Sequence, residues 1–462
     1  MKKSTLLFSL FCLGLGSSNA IAQKYVADDF VTNSSTNVYT VVIDATDGLN
    51  SPVDLDFNRK DMSELWVINM RTENVGGNTV TLQDAGTPSQ KAILRTDGNA
   101  WHFMSLPTAL AFGENGSWGS TPGVWDANHR AGTTRPFTGP SLWSSDLAIY
   151  AQPSGGNGSH LDMLHGSPYS VGMAWEKNNQ YWIFDGHNGH LVMYDFAVDH
   201  GPGNADHDDG RIRRYPDVQL KRDGLIPSHM EFDAARKWLY INDIGNARII
   251  RVDVTTGNVK GSSATAPSER LAENNDMENV TMEVVASTGL TKPCGLDVFG
   301  DRLIVTDNST NEILVYDLSK NNGSFPLVGK FTVPFTDIMG VKLDKEGKIW
   351  FVDKTAKKVI RIDNDNVQKR DENGWVLSTE DVEAVNLVTM FPNPALNVLN
   401  LEGLTIGSSV IVYDLTGKVA LETFNASSET AQLDISILSK GMYMISVELE
   451  GSILYQNKLI KE

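Results

Sequence analysis

A phrase of three strands recurs four times between residues 173 and 363 and constrains the fold of this chain more than any other feature. One copy has an apolar start at residues 296–298, a second strand at 303–307 that ends in Asp, and a third strand at 313–317 that also ends in Asp. The other copies start at Met173, Met230 and Val341. Each unit is an antiparallel meander that cannot bury both faces alone, so the copies must stack against one another.

Two weaker copies of the phrase precede these four. The six inner strands are then expected near Leu55, Leu110, Met173, Met230, Leu296 and Val341. This spacing suits four-stranded blades with outer loops of variable length, and a closed ring removes the edge strands that an open array would leave to aggregate. The pattern predicts an all-β fold, with a six-bladed β-propeller over residues 23–365.

The short motifs of the repeat resemble those of NHL-repeat six-bladed propellers. In that family a Pro-x-Gly precedes an apolar strand, and an Asn-containing turn follows a strand that ends in Asp. Matching segments here are Pro293-Cys294-Gly295-Leu296 and Asp243-Ile244-Gly245-Asn246. The resemblance covers roughly residues 40–365 and implies a ring of six blades with its ligand site at the mouth of a central channel.

The amino-terminal segment indicates export. Residues 1–22 combine Lys2 and Lys3, an apolar run at 6–15 and small residues at 20–22, which predicts a cleavable signal peptide too short to span a membrane. No other stretch reaches the roughly 18 apolar residues of a membrane span, so we expect no transmembrane segment. Without the signal peptide, Cys294 is the single thiol, and stability must come from a large core rather than a disulfide.

The charge of the chain excludes one class of partner. A formal net charge of −18 without a basic stripe repels nucleic acid, so none is expected as a partner.

The last part of the chain has a different pattern. Residues 366–389 are polar and predict a linker, and alternating strands with Gly turns at 390–462 predict a small β-sandwich. Its Phe-Pro-Asn-Pro start at 391–394, its centre at 413–418 and the Gly-Met-Tyr at 441–443 resemble the type A sorting domain of the type IX secretion system. The resemblance implies the type IX secretion machinery as a partner, a Bacteroidota-type route, and a secreted or cell-surface protein.

Soft metal ligands occupy one position of the repeat. His229, Cys294 and Met339 stand at or next to the start of three successive inner strands, and His165 lies a few residues before a fourth. Two imidazoles, a thiolate and a thioether suit copper, so we predict a metal site of these four residues in the channel. Zinc is the alternative ion. The competing interpretation is that Cys and Met simply fill the core.

The resemblance extends to the peptidyl-hydroxyglycine amidating lyase, a six-bladed relative with a catalytic zinc on channel-facing histidines. Only His229 matches that pattern, because Cys294 and Met339 replace the residues expected there. An enzyme of the metal-dependent lyase or lactonase type is therefore an alternative to a binding protein.

Three further segments are candidates for binding. His187 and His190 lie in a tight turn and belong either to the surface or to the rim of the channel. Asn204, Asp206 and Asp208 alternate in an acidic loop and offer oxygen ligands to calcium, although a solvated loop explains them equally. The long Trp-rich segment at 113–168 is either a ligand platform or a plug of the channel. Its candidate platform residues are Trp118, Trp125 and Trp143.

The sequence lacks a Gly-x-Ser-x-Gly elbow, a phosphate loop and a dinucleotide fingerprint, which disfavours serine hydrolase and nucleotide chemistry. We therefore expect an exported propeller that binds a ligand at the channel mouth, with copper or zinc as the candidate metal there. A metal-dependent enzyme and a scaffold that binds another protein at its rim are the alternatives.

Overall fold

The structure is a computed structural model that describes residues 26–152, 157–204, 206–265, 269–319, 323–364, 388–414, 418–449 and 452–462. The predicted signal peptide and most of the predicted linker lie outside these residues. The chain divides into two compact units, Met1–Leu377 and Ser378–Glu462, and each is described by itself.

The described part of the first unit contains six β-sheets, here called blades 1 to 6. Blade 1 consists of β2 (Pro52–Phe57), β3 (Leu65–Thr72), β4 (Gly76–Gln83) and β5 (Lys91–Arg95). Blade 2 consists of β6 (Pro107–Phe112), β7 (Ser117–Pro122), β8 (Ser141–Ser144) and β9 (Asp162–Met163). Blade 3 consists of β10 (Met173–Lys177), β11 (Gln180–Asp185), β12 (His190–Asp195) and β13 (Arg211–Gln219).

The remaining blades repeat this order. Blade 4 consists of β14 (Met230–Asp233), β15 (Trp238–Asp243), β16 (Arg248–Asp253) and β19 (Thr281–Ala286). Blade 5 consists of β20 (Pro293–Phe299), β21 (Arg302–Asp307), β22 (Glu312–Asp317) and β23 (Leu327–Thr332). Blade 6 consists of β24 (Ile338–Leu343), β25 (Ile349–Asp353), β26 (Lys358–Asn364) and β1 (Asn37–Ile43).

The inner strands of the blades form a closed ring. Each of β2, β6, β10, β14, β20 and β24 lies against the inner strands of the two neighbouring blades, and β24 lies against β2. All six predicted starting residues fall within these strands. The prediction of an all-β propeller is confirmed, and each blade buries its faces against the next because the ring is closed.

The last blade is completed by β1, a strand that precedes all the other strands in the chain. Residues 338–364 supply only three of its strands, and β1 pairs antiparallel with β26, from Asn37 opposite Asn364 to Val41 opposite Ile360. The preceding helix α1 (Val26–Thr32) buries Phe30 against blades 5 and 6. Asp28 of this helix forms an ion pair with Arg302 of blade 5 at 2.6 Å. The sequence pattern predicted the ring but not this closure.

The Asp that ends the second strand of the repeat is a turn cap. In blade 5, Asp307 Oδ1 accepts the N–H groups of Ser309 and Thr310 at 3.0 and 3.2 Å, and its Oδ2 accepts that of Thr291 at 2.6 Å. Its equivalents Asp185, Asp243 and Asp353 are also buried. Asp185 and Asp353 likewise accept backbone N–H groups of their own turns, as expected for Asp at such a position, whereas Asp243 contacts its turn through the side chain of Asn246. Asp307 also holds the loop that precedes the inner strand of its blade.

Two of the tryptophans predicted as a ligand platform lie in the core. Trp118 and Trp143 have no exposed surface, their rings stack at 5.7 Å, and Tyr150 packs against Trp118 at 5.3 Å. The platform prediction is wrong for these two residues, because both faces of a blade are covered and an aromatic side chain on either face becomes buried. Trp125 is partly exposed.

Several short elements connect or extend the blades. The hairpin β17 (Asn258–Ser262) and β18 (Glu273–Glu278) leaves blade 4 and adds to the outer edge of blade 3, where β18 pairs in parallel with β13. Helix α2 (Ala100–Phe103) lies between blades 1 and 2 in the chain. The described 3₁₀ helices span Ser34–Thr36, Ala45–Asp47 and Ile244–Asn246.

The second unit is a small β-sandwich, as predicted. One sheet consists of β27 (Thr389–Phe391), β28 (Val398–Glu402) and β31 (Thr430–Asp434). The other consists of β29 (Ser409–Tyr413), β30 (Val419–Asn425), β32 (Gly441–Leu449) and β33 (Ser452–Lys461). Leu401, Val412 and Val447 belong to a buried cluster of this unit's own residues. The unit therefore has its own core.

Removal of residues 26–43 should open the ring. The truncation takes away β1 and Phe30, and loss of the Phe30 contacts alone is expected to cost about 3–5 kcal/mol of unfolding free energy. Urea unfolding followed by circular dichroism would measure the loss. The control is Val38→Thr, which alters the exposed side of β1 and keeps the strand, so its midpoint should stay near that of the parent chain. An unchanged midpoint in the truncated chain would contradict ring closure by β1.

Candidate functional site

Three of the four residues predicted to bind copper are neighbours around the channel. The backbone N–H of His229 donates to the carbonyl oxygen of Cys294 at 2.8 Å, and Cys294 Sγ lies 3.8 Å from the carbonyl oxygen of Met339. These residues share one end of the inner strands, as their position in the repeat predicts. Cys294 is fully buried, and burial raises the pKa of its thiol to about 12, so the protonated form is favoured.

The imidazole of His229 faces protein groups rather than a free space. Its Nδ1 lies 3.3 Å from Asp54 Oδ2, and its Nε2 lies 3.4 Å from the carbonyl oxygen of Val53. Burial and the nearby positive charge of Lys342 lower the pKa of His229 to about 3. The side chain is therefore a neutral imidazole in the folded protein.

His165 lies in a different environment. Its Nδ1 forms a close pair with Glu269, its ring lies tilted against that of Phe137 with centroids 3.4 Å apart, and its other ring neighbour is His207. None of these residues contacts His229, Cys294 or Met339. In the described ranges there is no group of three or more His, Cys, Asp or Glu side chains placed to hold a metal ion. The four residues do not fit one ion together, and copper or zinc at this set stays a prediction without support from these contacts.

The acidic loop stabilises itself. Asn204 Oδ1 accepts the N–H of Asp206 at 3.0 Å, and Asp206 Oδ1 accepts the N–H of Asp208 at 3.2 Å. Asp208 also lies 3.6 Å from Arg270. These are the contacts of a turn-rich polar loop, in which side-chain oxygens bind nearby backbone N–H groups. Calcium at this loop stays a prediction.

The two histidines of the tight turn have different surroundings. His187 is exposed, and its ring stands edge-on to Trp125 with ring centroids 4.7 Å apart. His190 begins β12 and is half-buried, and burial lowers its pKa. Thus the structure brings His187 together with Trp125, which is the one predicted platform residue with an accessible face.

A group of charged side chains that the sequence analysis missed lies inside the ring, near the other end of the inner strands. We call it the channel charge cluster, and it consists of Asp56, Arg59, Glu231, Asp297 and Lys342. Its members come from blades 1, 4, 5 and 6. All but Arg59 lie within inner strands, whose side chains converge on the axis of the ring.

Lys342 is the centre of the cluster. Its Nζ forms a close ion pair with Glu231 and lies 3.5 Å from Asp297 and 3.9 Å from Asp56. Burial opposes the positive charge, but these carboxylates raise the pKa of Lys342 above its usual range. The ammonium group therefore stays charged and joins blade 6 to blades 1, 4 and 5.

Arg59 is the second cation of the cluster. Its Nη2 lies 2.9 Å from Glu231 Oε1, its Nε donates to the carbonyl oxygen of Phe112 at 3.0 Å, and its guanidinium lies over the ring of Trp175 at 5.2 Å. Burial opposes the charge of Glu231, but Lys342 and Arg59 together lower its pKa. Glu231 is thus an ionised carboxylate between two cations.

Asp297 is the least compensated carboxylate. Its Oδ2 accepts the backbone N–H of Leu343 at 2.8 Å, which joins blade 5 to blade 6. Burial raises the pKa of Asp297 to about 7, against the charge of Lys342 and with the help of Glu231. Burial also raises the pKa of Asp56. Lys342 and Arg59 together cannot neutralise three carboxylates, so part of the negative charge of the cluster is met by protons.

The cluster borders a cavity. A space of about 210 Å³ is lined by Asp56, Arg59, Glu231, Asp297 and Lys342, together with apolar residues and the Asp344–Lys345 turn. A wider recess of about 520 Å³ adjoins it and shares Arg59 and Glu231. Deeper in the ring, the space between Trp175, His229 and Leu296 falls to about 10 Å³, which holds at most one water molecule. The cavity is therefore blind.

A sequence signal for this site existed. Three inner strands carry a charged residue between two apolar neighbours, in Met230-Glu231-Phe232, Leu296-Asp297-Val298 and Val341-Lys342-Leu343. A charge at the centre of a buried strand requires a buried partner. The partners lie in other blades, so neighbouring residues in the sequence do not reveal them.

Comparison with known proteins identifies the second unit. Residues 389–462 match the family described as a Secretion system C-terminal sorting domain. This match indicates export to the cell surface or secretion, as the sequence predicted. Within the described residues, the helices are too short or too polar to cross a membrane. No curated protein matches the chain.

Solved structures resemble the chain at low identity. An auxiliary nutrient binding protein from Bacteroides ovatus is 12% identical, with 72% of this chain and 77% of that chain covered and a TM-score of 0.44. A catalytically inactive virginiamycin B lyase from Staphylococcus aureus is 13% identical, with 72% and 91% covered and a TM-score of 0.43. PorZ of the Porphyromonas gingivalis type-IX secretion system is 14% identical, with 89% and 52% covered and a TM-score of 0.37. These likenesses assign no activity to the chain.

Asp297 should give the propeller a distinctive dependence on pH. Its pKa of about 7 in the folded state exceeds the unfolded value, about 3.9, so its stabilising contribution is complete below about pH 4 and is lost as the pH rises through about 7. The unfolding free energy of the parent chain minus that of Asp297→Asn should therefore fall between about pH 4 and pH 7, by at most about 1.4 kcal/mol per pH unit.

Asp126→Asn is the control for this measurement. Burial opposes the charge of Asp126, but hydrogen bonds from Arg130 lower its pKa to about 2. Its contribution is complete above about pH 4, so its difference from the parent chain should be flat over the same range. Urea titrations at several pH values would show the contrast. A flat difference for Asp297→Asn as well would show that Asp297 is ionised throughout.

Deletion of residues 389–462 should separate folding from export. The first unit has its own closed ring, so the shortened chain should keep a cooperative unfolding transition. Without the sorting domain it should remain in the periplasm, whereas the full-length chain reaches the surface or the medium. Immunoblots of cell fractions would measure the distribution. Equal extracellular levels of both chains would contradict a sorting role.

Proposed function

We propose that this protein is an exported β-propeller that binds a small, positively charged ligand in the cavity beside the channel charge cluster. The observation that carries the proposal is the excess of carboxylates: Asp56, Glu231 and Asp297 face the two cations Arg59 and Lys342. A bound cation would neutralise the third carboxylate, so Asp297 could then lose its proton. An anion would meet uncompensated negative charge.

The cluster is buried but reachable. The side chains of Glu231 and Asp297 each keep 11% of their surface exposed, and that of Arg59 keeps 32%. A network with a purely structural role would be packed on all sides, whereas this one borders a cavity of about 210 Å³. The space suits the head group of an aliphatic amine or guanidine rather than a polymer.

The blind shape favours binding over passage. Below the cavity the channel is closed by Trp175, Leu296 and His229, so a ligand must leave by the way it entered. The similarity of the repeat to NHL propellers supports a ligand at the channel mouth. The cavity opens at the ends of the inner strands, whereas the metal set predicted from the sequence lies at their starts, and the proposal needs no metal.

Calorimetry with small amines tests the proposal. Agmatine and cadaverine are the cationic probes, butanol is the neutral probe and butyrate is the anionic probe. The amines should bind the parent chain, and binding should be about tenfold weaker at about pH 6 than at about pH 8, because Asp297 must be ionised. Asp297→Asn should weaken binding and remove the pH dependence, whereas Asp126→Asn, outside the cavity, should behave like the parent chain.

Other outcomes would reject the proposal. Butyrate binding as tightly as the amines would show that charge does not select the ligand. Failure of both amines to bind at about 1 mM, in a chain with normal cooperative unfolding, would leave the cluster with a structural role alone.

A further inference from the structure

A second cavity lies at the opposite end of the blades from the channel charge cluster. Three segments converge there: the long connection of blade 2 after β7, the turn between β11 and β12 of blade 3, and the hairpin that blade 4 sends to the edge of blade 3. They enclose about 480 Å³, and we call this space the rim pocket. Its lining includes Trp125, Arg135, Pro136, His187 and Asn188.

An aromatic wall forms one side of the rim pocket. The indole N–H of Trp125 donates to the carbonyl oxygen of Thr133 at 2.9 Å, which holds the ring in place. Tyr169 lies behind it at 6.0 Å and is itself covered by the guanidinium of Arg222 at 4.4 Å. His187 stands edge-on to Trp125 at 4.7 Å. This wall is fixed before any ligand arrives, so little entropy is lost when a flat ring stacks on it.

The charge of the pocket is positive, in contrast to the net charge of −18 of the whole chain. Among the described residues the guanidinium of Arg135 has no ion-pair partner, and its side chain is exposed at the pocket. Three carboxylates close to pocket residues in the chain or in space are already engaged: Asp126 by Arg130 at 2.9 Å, Asp185 by Arg214, and Glu269 by His165. The pocket therefore offers an unpaired planar cation beside a fixed aromatic surface.

These features together define the chemistry of a ligand. A guanidinium binds a carboxylate through two parallel hydrogen bonds, and an indole binds the C–H face of a saturated ring or the face of an aromatic ring. Asn188 and His187 add polar groups at the same wall, and these suit ring hydroxyls. We propose that the rim pocket binds a ring that carries a carboxylate, with a uronic acid residue of a saccharide as its ligand.

Saturation-transfer NMR and calorimetry with three probes test the proposal. Digalacturonate is the acidic saccharide, galactobiose is its neutral counterpart and benzoate is an aromatic acid. Digalacturonate should bind and should weaken as salt rises from about 0.05 M to about 0.5 M, because the Arg135 contact is screened. Galactobiose should bind at least about tenfold more weakly, since it lacks the charge-assisted hydrogen bonds. Benzoate should be weaker than digalacturonate, because it has no hydroxyl groups for Asn188 and His187.

Matched variants locate the binding. Trp125→Ala should weaken digalacturonate binding about threefold to tenfold, and Arg135→Gln should weaken it about tenfold and remove the salt dependence. Trp101→Ala changes a tryptophan that is 39% exposed elsewhere, and Arg270→Gln changes an arginine whose side chain is 88% exposed outside the pocket. Both controls should bind like the parent chain.

Three results would overturn the proposal. Equal affinity for galactobiose and digalacturonate would remove the role of Arg135. Tighter binding of benzoate would make the ligand an aromatic acid rather than a saccharide. Unchanged binding in both Trp125→Ala and Arg135→Gln, with the unfolding midpoint also unchanged, would place the ligand elsewhere.

Discussion

The structure of the first unit depends on one constraint: a blade of this sequence is apolar on both faces and must be covered on both. Blade 5 meets this constraint: Leu303 packs against blade 4, Ile304 packs against blade 6, and both side chains are fully buried. Alternate residues of a strand point to opposite faces, so each blade needs two neighbours, and only a ring gives every blade two. The pairing of β1 with β26 and the convergence of six inner strands both follow.

The sequence predicted where strands begin but not where their side chains point. The six inner strands were correct because the repeat is regular and its apolar runs are long. Position in the repeat also placed His229, Cys294 and Met339 at one end of the channel. It could not show that His229 faces Asp54, or that Glu269 lies next to His165, since those contacts join residues far apart in the chain. The channel charge cluster was missed for the same reason, as was β1 of blade 6.

The two ends of the ring carry opposite local chemistry. Where the inner strands end, the carboxylates of the channel charge cluster outnumber its cations around a narrow cavity. On the side where the inner strands begin, the unpaired Arg135 lies beside the fixed indole of Trp125 in the rim pocket. The two cavities share no lining residue, and the space next to the charge cluster narrows to about the volume of a water molecule. Each end is therefore free to change its loops and its ligand without disturbing the other.

The position of β1 has a consequence for the timing of folding. Asn37 and Asn364 are partners in the last blade although 327 positions separate them, so a strand that is synthesised early waits for one of the last strands of the ring. Contacts of such long range slow folding, and an incomplete propeller leaves the edge of β26 unpaired. The emerging chain would stay open until most of the ring has been made. Such a delay is compatible with passage across a membrane before the protein reaches its final shape.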